Sequence, residues 1–505
     1  MQNSFALKQA QPAASGLRNR ALAFAALLFI ATLPAAQAQT ITQLFSFPCP
    51  VQQFSTCPQG YAPNALLQAS DGNFYGAAQL TTIGTSEPHG GTLFKVTPAG
   101  KFTLLFTFAA DAPGHYLNGD NPATGLVEAN DGFLYGTTFE GGTTNNGVLF
   151  RIGKGGKSFS VVHSFCAPGD CSDGSSPQSL ILGHDGNLYG VTLAGGSNDV
   201  ACEALSGCGT IFQFSPAAGL TTLFRFDGSS AQGGSPVGLT QGDDGNFYGT
   251  AGGEVFRFTP SGLSFKVLAR FPQVDGVLPT NADSGLTQSS NGKLYGGVLT
   301  YSLNQAQFYE INPSGSGFHE FPAIGKLAVD FRISNLIEGS DGNLWTAFTQ
   351  PHFANGRVLA ISPDSGAVVK SFLFRGANGS LPMASVVQAA DGKLYGTTEG
   401  GGVVGGGEQP SGTVWTLDAG LAAPASLVAG FNPASGVNGA RVLIRGNHFI
   451  GTTAVTFNGV SATFRVLNKN FISATVPSGA TSGTVAVTNA GGTTVSAESF
   501  TVLIP

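Results

Sequence analysis

One eight-residue phrase recurs seven times along the chain and limits its fold more than any other feature. It begins at Asp71, Asp131, Asp185, Asp244, Asn291, Asp341 and Asp391, reading DGNFYGAA, DGFLYGTT, DGNLYGVT, DGNFYGTA, NGKLYGGV, DGNLWTAF and DGKLYGTT. The copies stand about 53 residues apart on average, the length of one unit of four short strands. A short apolar segment precedes the phrase, as in NALLQA from Asn64 and ASVVQA from Ala384. A glycine-led strand follows it, as in GVLFRI from Gly147 and GTVWTL from Gly412, and then a strand alternating around Phe and Leu, as in FTLLFTF from Phe102. These are strands A, B, C and D of one repeat. Asp-Gly falls between A and B, where a tight hairpin takes residues that tolerate positive φ. The aromatic residues that follow, Tyr75, Tyr135, Tyr189, Tyr248, Tyr295, Trp345 and Tyr395, are expected to fill the space between neighbouring sheets.

Seven four-stranded sheets arranged radially make a seven-bladed β-propeller, and the chain is predicted to be all-β. Its 73 glycines and 27 prolines among 505 residues suit many short strands joined by turns. The seventh repeat reaches strand C at GTVWTL and leaves into DAGLAAPASL with no Phe-rich strand D. The missing strand reads ITQLFSF from Ile41 to Phe47 at the other end of the chain, so the N-terminal strand is expected to complete the last blade and remove the open edge. The fifth repeat is degenerate in QAQFYEI and FHEFPAI, which keeps rings of six or eight blades as alternatives, with a linear β-solenoid as the competing architecture.

Residues 1–38 read as a signal peptide. Lys8, Arg18 and Arg20 precede the apolar run Ala21 to Leu33, and Ala36 and Ala38 offer the small residues of a cleavage site before Gln39. The expected location is therefore exported: extracellular, cell-surface or periplasmic, with no transmembrane segment in the mature chain. Cleavage removes three of the 23 basic residues and none of the 29 acidic ones, so the mature chain carries a net charge of −9. No basic run appears, which argues against nucleic acid as a partner. Six cysteines form three close pairs, Cys49/Cys57, Cys166/Cys171 and Cys202/Cys208, which in an exported chain are expected to be disulfides. None has the two-residue spacing of a zinc knuckle, so no metal site is expected from them.

The segments FNPASG, VLIRGNHF, AVTFNGVSATF and ISATVPSGATSGTVAVTNAGG, all within the last 80 or so residues, resemble the IPT/TIG family of immunoglobulin-like domains. An Asn458-Gly459 hairpin signal lies within them. That resemblance implies a β-sandwich over 424–505 that serves as a spacer or interaction module. The phrase itself, the following GG, the GTVF-like strand and the Phe-x-x-Leu-x-x-Phe strand resemble the choice-of-anchor tandem-repeat GloVer family of exported bacterial proteins, over roughly Ile41 to Leu417 of the predicted propeller at 39–420. That family carries no general biochemical activity with it.

In such a blade the A–B and C–D turns share one face, and the B–C and D–A loops share the other. The second face has long, uneven loops and all three cysteine pairs, which is where binding is most often placed. A GxxP sequence recurs in six D–A connections, as at Gly119/Pro122 and Gly174/Pro177, and reads as turn chemistry. Candidate ligand-binding residues on that face are Glu87, His89, His115, Tyr116, Asp199, Glu203, Glu399 and Glu408. No catalytic spacing and no cofactor motif is present: the glycine-rich stretch from Gly400 is followed by a strand, whereas a phosphate cradle needs a helix there. The expectation is a non-catalytic binding protein facing an extracellular polysaccharide or surface protein. Two alternatives stand beside it. One is a propeller enzyme acting on glycans or of the streptogramin-lyase kind, which DGNLWTAF and NGRVLAISPDSG resemble. The other is a structural or adhesive surface protein.

Overall fold

Each phrase folds as a turn and the second strand of an antiparallel sheet. In the first copy the turn closes with Ala69 N donating to Asn73 O at 2.9 Å and Gly72 N to Ala69 O at 2.8 Å. Gly72 adopts φ 78°, a conformation that a β-carbon disfavours. Asp71 then does two jobs. One carboxylate oxygen accepts the Asn73 amide at 3.1 Å, and the other accepts the Tyr75 hydroxyl at 2.8 Å. The same bond to the aromatic four residues on recurs at Tyr135, Tyr189, Tyr248 and Tyr395, between 2.7 and 2.8 Å. Trp345 donates its indole N–H to Asp341 at 3.0 Å, and at the single Asn the direction reverses, with Asn291 Nδ2 donating to Tyr295 at 2.8 Å. Burial opposes the charge on Asp71 and Asp244, but these hydrogen bonds outweigh it and hold both carboxyls below their ordinary pKa. Burial, and then the bond to Asp131, pushes the Tyr135 hydroxyl up to about 12.

The computed structural model describes residues 40–50, 56–82, 89–112, 114–122, 125–167, 169–196, 207–229, 232–261, 264–271, 285–300, 305–324, 333–350, 353–405 and 409–504. The expected signal peptide lies outside them. Seven sheets follow in chain order over 56–107, 127–164, 175–225, 236–270, 287–320, 337–373 and 387–417. The last is completed by Ile41–Cys49, which pairs antiparallel with Gln409–Leu417 in a register running from Ile41 opposite Leu417 to Cys49 opposite Gln409. The first sheet counts five strands because its strand A is split into Thr56–Pro63 and Leu67–Gln68, both paired with Phe74–Thr82. The degenerate fifth repeat forms a full blade with only a two-residue strand D, His319–Glu320.

The core shows that the sheets close into a ring. Every seam between consecutive blades has its own buried apolar cluster, including the seam from the seventh blade to the first, where Phe47, Val414 and Tyr395 pack with Phe74, Phe94 and Leu66. In each, the repeated aromatic belongs to one blade and packs on the next: Tyr75 against Leu134 and Phe150, Tyr248 against Leu294 and Ile311, Trp345 against Leu394 and Trp415. Burying such a ring contributes roughly 3 kcal/mol. Phenylalanines from successive D strands stack further out, Phe106 on Phe159 at 3.8 Å and Phe45 on Phe102 at 4.1 Å.

The C-terminal residues form a two-sheet sandwich. One sheet holds Leu427–Asn432, Arg441–Asn447, Phe471–Thr475 and Phe464–Asn468 in that order, and the other holds Ser435–Val437, Gly492–Leu503, Gly483–Asn489, Ala454–Phe457 and Val460–Ser461. Ile444, Val455, Phe457, Ile472, Val487 and Phe500 fill the space between them. Asn458 and Gly459 take φ 44° and 84°, the double positive that an Asn-Gly hairpin uses.

Candidate functional site

The two faces of the ring are chemically unlike. On the A–B turn face a Gln or Glu at the end of strand A reaches the turn of the preceding blade and accepts a backbone N–H. Gln68 binds Ala390 N, Glu128 binds Ser70 N, Gln241 binds His184 N, Gln288 binds Asp243 N, Glu338 binds Ser290 N and Gln388 binds Ser340 N, at 2.7 to 2.9 Å. The third blade breaks the series with Leu182 at that position. The turn it leaves unserved contains Asn130, whose side-chain oxygen instead accepts Asn468 Nδ2 of the C-terminal sandwich at 2.9 Å. Other contacts of the sandwich and its linker fall on the same face: Gly451 beside Ala390, and Ala422 O accepting from Ser340 Oγ at 2.7 Å and Gln388 Nε2 at 3.0 Å. Arg445 lies near enough to His184 to lower its pKa, after burial, which is the larger cause.

The long-loop face is built from a repeated scaffold with unrepeated side chains. Its D–A connections carry the GxxP sequence, and the residue before the proline adopts positive φ in five blades: Ala62, Asn121, Ser176, Ser235 and Leu381. In blades three and seven the leading glycine sits on paired threonines from strands B and C. At Gly174 a β-carbon would stand 2.2 Å from Thr192 Oγ1, and Thr192 and Thr210 share a hydrogen bond at 2.9 Å beneath it. The second residue of GxxP is free to vary: Tyr61, Asp120, Ser175, Gly234, Val277 and Ser380.

At the seam of blades one and two that variable position joins a polar cluster. Asp120, 1% exposed, accepts Gly90 N at 2.6 Å through Oδ1 and contacts His89 Nδ1 at 2.6 Å through Oδ2. Asp120 and Glu140 lie opposite each other in an antiparallel bridge, exchanging amide hydrogen bonds at 2.9 and 3.1 Å. Ligand-bearing atoms of His89, Asp120 and Glu140 lie within 4.8 Å of one another. The Tyr116 ring stacks on His89 at 5.3 Å, and burial followed by the Asp120 charge raises its pKa.

Of the sequence candidates, the structure brings His89 and Tyr116 together. His115 stands apart, paired with Asp111 at 2.7 Å in an exposed contact. Glu399 lies at the seam of blades seven and one, where its charge adds to burial in raising the Tyr61 pKa. Glu87, Asp199, Glu203 and Glu408 lie outside the described residues. Asp120 and Glu140 are not among the sequence candidates, and no metal ligands are expected from the sequence. A signal is nonetheless present at Asp120, the one charged residue in the variable GxxP position. Two disulfides, Cys49–Cys57 and Cys166–Cys171, staple the D–A loops on this face. Cys208 is also disulfide-bonded, and Cys202 lies outside the described residues. Such bonds suit a chain that folds in an oxidising compartment, as an exported protein does.

Fold and faces together define a seven-bladed propeller with an appended immunoglobulin-like sandwich. Residues 62–306 match the Gloeobacter/Verrucomicrobia repeat and residues 426–502 match the IPT/TIG domain. No curated protein matches it. Among solved structures, it is similar to the extracellular domain of a protein described as a one component system from B. thetaiotaomicron, at 11% identity and a TM-score of 0.46, covering 78% of this chain. The chain spans 46% of that structure's length. It is also similar to an oligogalacturonate lyase from Vibrio parahaemolyticus, at 9% identity and a TM-score of 0.46, covering 76% of this chain and 94% of that one.

Proposed function

We propose that this is an exported binding protein whose long-loop face receives an extracellular polysaccharide. The observation that carries the reading is the asymmetry of the faces. The sandwich contacts the A–B turn face, and repeated bonds between blades occupy that face's polar groups. The long-loop face instead offers unrepeated groups on a rigid frame: the Tyr116 ring stacked on His89, the Glu140 carboxylate, and exposed Leu117 and Leu381. An aromatic plane beside a carboxylate acceptor suits sugar rings, which present apolar faces and hydroxyl donors together.

The test is binding of the purified chain to a panel of polysaccharides, with Tyr116→Ala and Glu399→Ala compared against Lys393→Ala on the opposite face. Tyr116→Ala is expected to weaken binding by about tenfold, a loss of about 1.4 kcal/mol, with Lys393→Ala close to wild type. Binding lost through Lys393→Ala and unchanged by the other two would refute the assignment of the face. Depolymerisation of a bound polymer would replace binding with catalysis.

A further inference from the structure

Two seams on the long-loop face carry a histidine paired with a buried aspartate, and they differ in one respect. Between blades two and three, His163 Nε2 meets Asp173 Oδ2 at 2.8 Å while Asp173 Oδ1 accepts Cys166 N at 3.0 Å. Between blades one and two, His89 and Gly90 N hold Asp120 in the same two-point manner. Among the described residues, only the latter adds a second carboxylate, Glu140, within 4.8 Å. The backbone bridge between Asp120 and Glu140 fixes this arrangement, because residues directly opposite on paired strands direct their side chains to one side. Like charges placed so are destabilising unless a cation lies between them.

We infer that His89, Asp120 and Glu140 form a divalent-cation site clamping blade one to blade two. One imidazole and two carboxylates are a mixed nitrogen and oxygen set, which favours manganese or zinc over calcium or magnesium. Bonds of about 2.0–2.2 Å to one ion require the donors, now within 4.8 Å of one another, to adjust their spacing around it. Asn121, the next residue, has a buried side-chain oxygen with no partner among the described residues, a further oxygen donor adjacent in the chain. Three protein ligands leave positions open to oxygen atoms of a bound molecule. The site stands whether or not a polysaccharide is the ligand.

The experiment is calorimetric titration of the chelator-treated full chain with Mn²⁺, Zn²⁺ and Ca²⁺, alongside Glu140→Gln, Asp120→Asn and His163→Gln. One equivalent of Mn²⁺ or Zn²⁺ is expected to bind more tightly than Ca²⁺ and to raise the melting temperature. Glu140→Gln should weaken binding by about tenfold or more. His163→Gln should leave metal binding intact. Absence of binding, or binding indifferent to Glu140→Gln, would overturn the site and leave His89 and Asp120 as a structural pair like His163 and Asp173. Should Asp120→Asn fail to fold, the Glu140→Gln titration still decides.

Discussion

The two faces of the ring are made from the same seven repeats and have opposite characters. On the A–B turn face the repeat fixes the side chains as well as the backbone: Asp binds the aromatic four residues on, and Gln or Glu binds the preceding turn. On the long-loop face it fixes only the backbone, through glycine and proline, and leaves one position open in each GxxP connection. Repetition therefore builds one face for cohesion and frees the other for individuality. The break in the series at Leu182 sharpens the point, because the turn it leaves unserved is where Asn468 of the sandwich attaches.

The largest effect should come from the cohesive face. Tyr248→Ala removes a fully buried ring from the seam of blades four and five and is expected to cost about 3–5 kcal/mol, read from chemical denaturation. If matched substitutions at Tyr75 and Tyr395 cost very different amounts, the repeats are not equivalent and the contrast between faces weakens.

Next in size is a pH effect in the sandwich. Burial, and then the Lys469 charge, lowers the His448 pKa to about 4. An unfolded histidine titrates near 6.5, so between pH 6.5 and 4 the unfolded chain takes up a proton that the folded chain refuses. Stability from this group is complete above about pH 6.5 and is lost as pH falls toward 4, by roughly 3 kcal/mol at most. His448→Asn, which suits the φ of 58° at that position, should flatten the dependence in denaturant midpoints measured between pH 7 and 4.5.

Removing the Cys166–Cys171 bond by paired serine substitution should cost about 2 kcal/mol, the value for so small a closed loop. A loss confined to proteolysis of the adjoining loop, with the global midpoint unchanged, would show the staple to be local. The smallest effect belongs to the attachment of the sandwich: Asn468→Ala is expected to cost about 1 kcal/mol or less, and combining it with Asn130→Ala should add little more if the pair interacts directly.

Much of the ring is legible in the amino-acid sequence, because its information is local and repeated. The displaced strand at Ile41, the aromatic packing between blades, two cysteine pairs and the Asn458-Gly459 turn all follow from neighbours in sequence. The repeated aspartates read as turn residues, which they are; their bond to the aromatic hydroxyl depends on the side-chain directions on either side of the hairpin. The cluster at His89 is only half visible in the sequence. Its members come from a B–C loop, a D–A loop and the end of another blade's strand B, and no spacing in one repeat joins them. Folding alone brings Glu140 to Asp120.

The pairing of Ile41–Cys49 with Gln409–Leu417 also imposes an order on assembly. The strand Ile41–Cys49 finds its partner only after about 370 further residues have emerged. Until then its Phe45 and Phe47 edge is a vacant template, and the seventh blade of a neighbouring nascent chain fits it equally well. Failure of this clasp at high local concentration would produce not aggregates of random form but chains linked ring to ring, each lending its leading strand to the next.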